Sequence, residues 1–175
     1  MNGSTGAGDG AARLFASLSA AGLRAAFAES CTGGLCAAAI TSIPGSSSVF
    51  LGGVVAYSNA SKRALLGVSG DTIQTHGAVS AEVVSEMASG AIDRFGADCG
   101  LSVSGIAGPG GGTSDKPVGT VWIGARVPGA AIERRFRFAG NREEVRTAAR
   151  DAALDMLSGM LSGPGAEGRG ETDRT

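Results

Sequence analysis

The most informative cationic residues in this chain are its lysines, because arginine supplies thirteen of the fifteen lysine and arginine side chains. Lys62 follows Tyr57-Ser58-Asn59 on a predicted short helix. A desolvated lysine with a lowered pKa can act as a general base for a serine nucleophile, which an arginine cannot do because its guanidinium keeps its proton. A solvated lysine on an exposed helix face explains the same residues without chemistry.

Two loops carry serines that could attack an amide. The loop from Glu29 to Gly34 follows an apolar run and places small hydroxyl residues and two glycines at a predicted helix start. Backbone N–H groups there would suit an anion or an oxyanion, although capping of the helix by Ser or Thr is the more common explanation of such a pattern. The second loop, residues 45–48, is separated from Tyr57 by a predicted strand. Contact between those two ends would require a bent element or a neighbouring subunit.

A third loop and the last helix offer groups for a phosphate. The segment from Ser104 to Gly112 matches neither the dinucleotide fingerprint nor the phosphate-binding GxxxxGK[ST] loop, yet its backbone N–H groups could hold a phosphate or an amide oxygen. Arg142 and Arg146 open the last predicted helix, where guanidinium groups and a helix N-terminus favour an anion. The alternatives are a flexible loop and arginines paired with neighbouring carboxylates on a solvated face.

The scarcity of histidine and the cysteine spacing restrict the other chemistries. His76 is the single histidine, so a multi-histidine zinc site is excluded and no metal is expected. A turn or capping role is expected for His76. The three cysteines form no C-x-x-C pair and are expected to be buried, reduced side chains. Cys31 is not expected to be the nucleophile, because the only histidine that could activate it belongs to another segment.

Composition indicates one globular domain. The chain has 175 residues, 43% of them hydrophobic, and a formal net charge of −1. A net charge this close to zero does not favour direct binding to nucleic acid. No apolar stretch approaches the length needed to cross a membrane. The N-terminus lacks the basic and apolar regions of a signal peptide, so a cytoplasmic location is expected. Residues 1–8 and 163–175 are predicted to be disordered, flanking a folded domain at 9–162.

The order of predicted elements favours a layered fold. Helical spacing over Ala11–Leu18 is followed by alternating strands and helices, and a hairpin around Pro128-Gly129 precedes the last helix. Ser58, Ser80 and Asn141 are expected to cap helices. This order predicts an α/β domain with a mixed sheet.

Seven motifs in order identify the chain by resemblance. It resembles the C-terminal domain of the competence/damage-inducible CinA proteins, a family that includes stand-alone nicotinamide-nucleotide amidases. The motifs are AESCTGG (28–34), PGSS (44–47), YSNASK (57–62), HGAVS (76–80), SGIAGPGGG (104–112), KPVGTVW (116–122) and GNREEVR (140–146). Because no molybdopterin-binding-like domain precedes them, a free-standing form is expected. The resemblance covers about residues 11–161 and implies a three-layer α/β/α sandwich that forms a homo-oligomer.

The resemblance also implies deamidation of nicotinamide mononucleotide at a metal-free Ser/Lys-type site without a cofactor. It places four residues in the catalytic group, namely Ser30, Ser47, Tyr57 and Lys62. We favour Ser47 as the nucleophile, because a turn of small residues can present a hydroxyl at a sharp bend, with Ser30 as a supporting donor. Tyr57 would stack on the cationic pyridine ring. The expected substrate-binding residues are Thr32, Gly33, Ser104, Gly105, Ile106, Ala107, Gly108, Arg142 and Arg146.

The rival interpretation is a non-catalytic module that senses nucleotides or binds proteins in competence or DNA damage. The near-neutral charge disfavours direct DNA contact but leaves protein partners open.

Overall fold

A five-stranded mixed sheet forms the centre of the molecule. The computed structural model describes residues 7–162, with side chains from Gly10 onward. Within this range the helices are α1 (Ala7–Ala21), α2 (Leu35–Thr41), α3 (Asn59–Leu66), α4 (Gly70–His76), α5 (Ala81–Phe95) and α6 (Arg142–Leu161). The strands are β1 (Ala25–Glu29), β2 (Phe50–Val55), β3 (Cys99–Gly105), β4 (Thr120–Val127) and β5 (Ala130–Arg137), and a 3₁₀ turn spans Ser46–Ser48.

The strand order brings three carboxyl ends to one edge of the sheet. The order is β2-β1-β3-β4-β5. β1 lies parallel to both neighbours, with Ala28 opposite Val54 of β2 and Ser102 of β3. β4 and β5 form the expected antiparallel hairpin, which makes the sheet mixed. Loops that follow β1, β2 and β3 therefore converge at the same edge, where open α/β sheets usually bind ligands.

Helices cover both faces of the sheet, which confirms the three-layer α/β/α arrangement in a single domain. On one face, α1, α2 and α6 bury a core that includes Leu14, Ile40 and Leu154. On the other face, α5 packs Val83 and Met87 against the sheet, with Leu66 at the end of α3. Each layer hides its apolar stripe against the strands, which is the physical reason for the alternation along the chain.

Side-chain caps set the helix starts. Ser58, Ser80 and Asn141 accept hydrogen bonds from the first turns of α3, α5 and α6, as expected, and Asn141 forms a full capping box with Glu144. The short helix α4 was not expected. Its cap is Ser69, whose hydroxyl accepts from the N–H of Asp71 and of Thr72.

The two chain ends are mostly outside the described residues. α1 begins at Ala7, so it extends into the segment 1–8 for which disorder was expected. Residues 1–6 and the expected tail 163–175 lie outside the described range. None of the helices between residues 7 and 162 has the length and hydropathy to span a bilayer.

Candidate active site

A small cavity lies at the edge of the sheet where β1, β2 and β3 end. Its volume is about 180 Å³. Loops after all three strands line it, together with the segment before α5 and the start of α6. The lining residues are Ser30, Cys31, Tyr57, Asn59, Lys62, Ala78, Val79, Ser104, Gly105, Ala107 and Arg142. Six of the expected catalytic and binding residues besides Lys62 are thus brought together by the parallel strand order.

Lys62 is the most unusual side chain of the cavity. It lies in α3 and is only 2% exposed. Its Nζ donates to Ser30 Oγ at 2.9 Å and to the carbonyl oxygen of Ala56 at 3.0 Å. Among the described residues no carboxylate forms an ion pair with it. Burial lowers the pKa of Lys62 from its usual 10.5, although the nearby Cys31 opposes the shift. The Lys62 ammonium therefore loses its proton more readily here than it would in water.

Glu29 holds the loop that carries Ser30. Its carboxylate is 2% exposed and accepts three backbone hydrogen bonds, from the N–H of Gly34 at 3.0 Å, of Cys36 at 3.1 Å and of Ala37 at 2.8 Å. The N–H of Ser30 donates to the Val103 carbonyl of the neighbouring strand at 2.9 Å. Ser30 is therefore fixed on both sides, by β3 and by the start of α2.

This arrangement corrects one expectation about the first loop. We expected the N–H groups at the start of α2 to be available for an anion or an oxyanion. Those of Gly34, Cys36 and Ala37 are instead bonded to Glu29. Glu29 was missed as a functional residue, although an acidic residue at the end of an apolar strand and before a helix start was the available signal.

Cys31 lines the cavity beside Ser30 but is poorly suited to attack a substrate. Its side chain is buried, and burial, with the charge of Glu29 as a smaller contribution, raises the pKa of the thiol to about 11. Burial also raises the pKa of Cys36 well above its ordinary value and that of Cys99 to about 12. A thiol with such a pKa remains protonated near neutral pH, so thiolate chemistry is disfavoured.

Arg142 and Tyr57 form one wall of the cavity. The Arg142 guanidinium donates to the Gly108 carbonyl at 2.8 Å and to the Tyr57 hydroxyl at 2.9 Å. Tyr57 is 62% exposed, so much of it is accessible to a ligand. Ser104 is buried, and its hydroxyl donates to the Ala78 carbonyl at 2.7 Å, which leaves its oxygen available as an acceptor.

Arg146 has a different position from Arg142. It lies outside the small cavity, and its guanidinium donates to the carbonyls of Cys31 at 3.1 Å and Thr32 at 2.8 Å. It therefore supports the loop behind Ser30. A second, more open groove of about 430 Å³ begins on this side of Arg142 and is lined by Leu35, Asn141, Arg142, Glu143, Arg146 and Thr147. Arg142 lines both the groove and the cavity.

Besides Arg146, four expected binding residues do not line the cavity. Thr32 is fully buried, and Gly33 has a left-handed backbone (φ 63°) beneath Arg146. The N–H of Ile106 donates to the Thr120 carbonyl at 2.8 Å, and Gly108 contributes only the carbonyl that holds Arg142. Thr32 Oγ1, in contrast, is buried without a hydrogen-bond partner among the described residues. Direct contact of these four residues with the substrate stays a prediction.

Ser47 is not brought to Lys62 within the chain. It is exposed in the 3₁₀ turn that precedes β2, at the amino edge of the sheet. The six residues of β2 separate it from the cavity, a rise of about 20 Å along the strand. Within the chain the lysine therefore has Ser30, and not Ser47, as its hydrogen-bond partner. Which serine is the nucleophile stays a prediction.

His76 and Lys116 lie beside the site and have structural contacts. His76 ends α4, and its Nδ1 is 3.4 Å from Glu82 Oε1. Lys116, the other lysine, is half-buried and donates to the His76 carbonyl at 2.7 Å. Within residues 7–162 there is no group of three or more potential metal-ligating side chains among His, Cys, Asp and Glu.

The chain is similar to known proteins over most of its described length. The family model of the CinA C-terminal domain matches residues 9–161. A relative from Enterobacter agglomerans, named nicotinamide-nucleotide amidohydrolase PncC, is 55% identical over 132 residues, which cover 75% of this chain and 80% of that protein. A CinA-like protein from Mycolicibacterium vanbaalenii is 51% identical over 146 residues, or 83% of this chain. The match spans only 35% of that relative's length.

Solved structures have the same fold. The crystal structure of the competence/damage-inducible protein CihA from Agrobacterium tumefaciens superposes with a TM-score of 0.86 at 41% identity, covering 93% of this chain and all of that one. A competence damage-inducible protein from Klebsiella pneumoniae gives a TM-score of 0.87 at 38% identity, covering 94% of this chain and 100% of its own.

Proposed function

The chain belongs to the CinA C-terminal domain family, and we propose that it is an amidohydrolase that converts nicotinamide mononucleotide and water to nicotinate mononucleotide and ammonia. The observation that carries the proposal is the buried Lys62, whose Nζ lies 2.9 Å from Ser30 Oγ in a cavity at the carboxyl edge of the sheet. The name of the Enterobacter agglomerans relative supports the choice of reaction and substrate.

Ser30 is the nucleophile of the proposed reaction and neutral Lys62 its general base. The hydrogen bond between them reverses direction when Nζ is neutral, so the Ser30 hydroxyl then donates to the lysine. Ser30 Oγ attacks the carboxamide carbon while Nζ takes its proton, and a C–O bond forms. The tetrahedral intermediate collapses as the C–N bond breaks, and Lys62 returns the proton to the departing ammonia. The product of this half-reaction is an ester on Ser30.

Water completes the cycle. Neutral Lys62 accepts a proton from a water molecule as that water attacks the ester carbon. Cleavage of the bond to Ser30 Oγ releases the carboxylic acid, and the proton on Nζ returns to Ser30. The carboxylic acid then ionises in solution, because its pKa lies well below neutral pH. Lys62 and Ser30 perform both halves, so the proposal requires neither a metal nor a cofactor.

The volumes of the cavity and of the groove favour a substrate whose two halves bind in different places. A volume of about 180 Å³ is small for a whole nucleotide and suits one aromatic ring with its carboxamide. Tyr57 would stack on the cationic pyridine ring. The ribose phosphate would extend past Arg142 towards the groove. There the Arg142 guanidinium would give up one of its hydrogen bonds within the protein and bind the phosphate instead.

Product analysis tests this function directly. Purified wild-type protein is incubated with nicotinamide mononucleotide, and ammonia and nicotinate mononucleotide are measured together, with and without excess EDTA. We expect equal amounts of the two products, unaffected by the chelator. Nucleotide binding without ammonia release would favour the sensing module, and loss of activity in EDTA that a divalent ion restores would overturn the metal-free mechanism.

A further inference from the structure

Lys62 faces a cavity whose described lining carries positive charge and no negative charge. The lining residues include the cations Lys62 and Arg142, but no aspartate or glutamate. Glu29 lies next to the cavity in the chain, yet both of its carboxylate oxygens accept from backbone N–H groups at the start of α2. The hydrogen bonds of the Lys62 ammonium therefore go to neutral oxygens, those of Ser30 and Ala56.

The other groups that line the cavity do not balance the charge of Lys62 near neutral pH. Burial raises the pKa of the Cys31 thiol to about 11, so that thiol remains neutral. Tyr57 contributes a hydroxyl that accepts from the Arg142 guanidinium. The segment before α5 and the end of β3 contribute residues that do not ionise, namely Ala78, Val79, Ser104 and Gly105.

The charged residues on the helices around α3 have their contacts elsewhere. Arg63 follows Lys62 on α3 and is exposed. On α5, Arg94 donates to the end of α3 and Glu86 accepts from the start of α4. On α6, Arg146 donates to carbonyls of the loop after β1. The described contacts therefore give Lys62 no negative charge that would hold its proton.

We propose that the positive charge of the nicotinamide ring itself converts Lys62 to its neutral, basic form. This inference rests on the proposed function, which places that ring in the small cavity. A sphere with the cavity's volume is roughly 7 Å across, so the ring charge would lie close enough to Nζ to act on it strongly. Like charges at this separation, with no carboxylate beside them, disfavour the ammonium. One N–H bond of Lys62 breaks, and the proton passes to solvent.

The cavity would therefore select substrates by ring charge as well as by shape. Burial lowers the pKa of Lys62 from its usual 10.5, and a second positive charge lowers it further. A nicotinamide with an uncharged ring lacks the second contribution, even when it fits. Reduced nicotinamide mononucleotide is such a compound, because it keeps the carboxamide, ribose and phosphate but has a neutral dihydropyridine ring. The substrate class is thus nicotinamides with a cationic ring nitrogen.

Proton release on binding tests the inference without any measurement of activity. The Ser30→Ala protein is titrated with nicotinamide mononucleotide in a calorimeter at about pH 8 to 10, where the phosphate, with a second pKa near 6, stays fully ionised. Buffers of different ionisation enthalpy give the number of protons released. We expect up to one proton per ligand, and an affinity that rises by up to about tenfold per pH unit, because binding and proton loss are reciprocally coupled.

Two controls isolate the ring charge and the lysine. Reduced nicotinamide mononucleotide should bind the same protein without proton release and with an affinity independent of pH. Ser30→Ala/Lys62→Met should release no proton with either ligand, which excludes the Tyr57 hydroxyl as the source.

The outcomes separate this inference from the proposed function. Equal release with the two ligands, or none with the cation, overturns the inference, while ammonia release by the wild-type protein would still support the function. Failure of the mononucleotide to bind overturns both. Release with the cation alone supports the inference even if the wild-type protein produces no ammonia, a result that would contradict only the function.

The pH profiles of the wild-type protein give a second measurement that needs no variant. The profile of kcat reports ionisation in the substrate complex, and that of kcat/KM reports ionisation in the free protein. We expect the midpoint of the rise in kcat to lie about 1–3 pH units below that of kcat/KM. Midpoints that coincide, or a higher midpoint for kcat, overturn the inference.

Discussion

Ser30 and Ser47 occupy opposite ends of the same sheet, and the contrast between them is the reason we propose Ser30 as the nucleophile. Each lies in a loop of small residues, and each was a candidate nucleophile. Ser30 is buried at the carboxyl end of β1, 2.9 Å from a lysine with a lowered pKa. Ser47 is exposed at the amino end of β2. A sharp turn can present a hydroxyl, but attack on an amide also requires a proton acceptor in a dry environment.

The carboxyl and amino edges of the sheet also differ in the surroundings of their cationic side chains. At the carboxyl edge, Lys62 is buried without a carboxylate partner, and Arg142 faces the cavity. At the amino edge, Arg126 is bonded to Ser85 and lies 3.9 Å from Glu133. Cations near carboxylates contribute to packing and solvation, whereas cations directed into a cavity are available to a substrate. The following substitutions compare groups at the carboxyl edge with matched groups elsewhere.

Loss of the nucleophile should have the largest effect. Ser30→Ala removes the attacking oxygen and should lower kcat by about 10⁴- to 10⁶-fold. Ser47→Ala, the matched control at the amino edge, should change kcat little. Steady-state ammonia release from both purified variants measures the difference. A larger loss in Ser47→Ala than in Ser30→Ala would reverse the assignment.

Loss of the base should rank second. Lys62→Arg keeps the charge but cannot accept a proton, so kcat should fall by about 10²- to 10⁴-fold. Lys116→Arg is the control, since Lys116 does not line the cavity and its ammonium donates to the His76 carbonyl. Near-wild-type turnover of Lys62→Arg would exclude Lys62 as the base.

The pH dependence of the same variants gives a second measurement. The neutral form of Lys62 is the active one, so kcat/KM should rise with pH, and burial places the midpoint of that rise below the usual lysine pKa of 10.5. Lys62→Arg should lose this rise. A wild-type profile that falls with increasing pH over this range would contradict a neutral lysine base.

Loss of the phosphate contact should have a moderate effect, mainly on KM. A charge-assisted contact is worth about 1.5–3 kcal/mol, so Arg142→Ala should raise the KM for the mononucleotide roughly 10- to 150-fold. Arg126→Ala, at the amino edge, should leave KM unchanged. If Arg142→Ala binds the nucleotide as tightly as wild type, the phosphate lies elsewhere.

Removal of the Glu29 charge should have the smallest effect on activity and a measurable one on stability. Gln at this position retains one acceptor oxygen but directs an amide N–H₂ towards backbone donors. We expect the free energy of unfolding in urea to fall by about 1–3 kcal/mol. Asp93→Asn, a change at an exposed carboxylate on α5, should stay within about 0.5 kcal/mol. Equal stabilities of the two variants would show that Glu29 does not fix the loop.

The sequence predicts much of the fold because local signals and burial agree there. The caps Ser58, Ser80 and Asn141 mark helix starts, and the hairpin turn at Pro128-Gly129 joins β4 to β5. Helix α4 was not predicted from the sequence. It is only seven residues long, and none of its residues is buried. A helix without an apolar stripe leaves no periodic pattern to detect.

The candidate site is only partly predictable because its contacts join distant segments. Lys62 and Ser104 were expected at the site from their motifs, and both line the cavity. The pairing of Lys62 with Ser30 rather than Ser47 depends on the parallel alignment of β1 and β2, which residue types do not specify. The three hydrogen bonds to Glu29 likewise depend on the path of the loop.

The most direct test of the Ser30–Lys62 account is to identify the residue that carries the acyl group. Wild-type protein and nicotinamide mononucleotide are mixed for one turnover, quenched in acid, digested and analysed by mass spectrometry. The account predicts an acyl adduct on the peptide that contains Ser30, and no adduct on any peptide of the Ser30→Ala protein. An adduct on Ser47 or Cys31, or a burst of ammonia with no adduct on any residue, would contradict it.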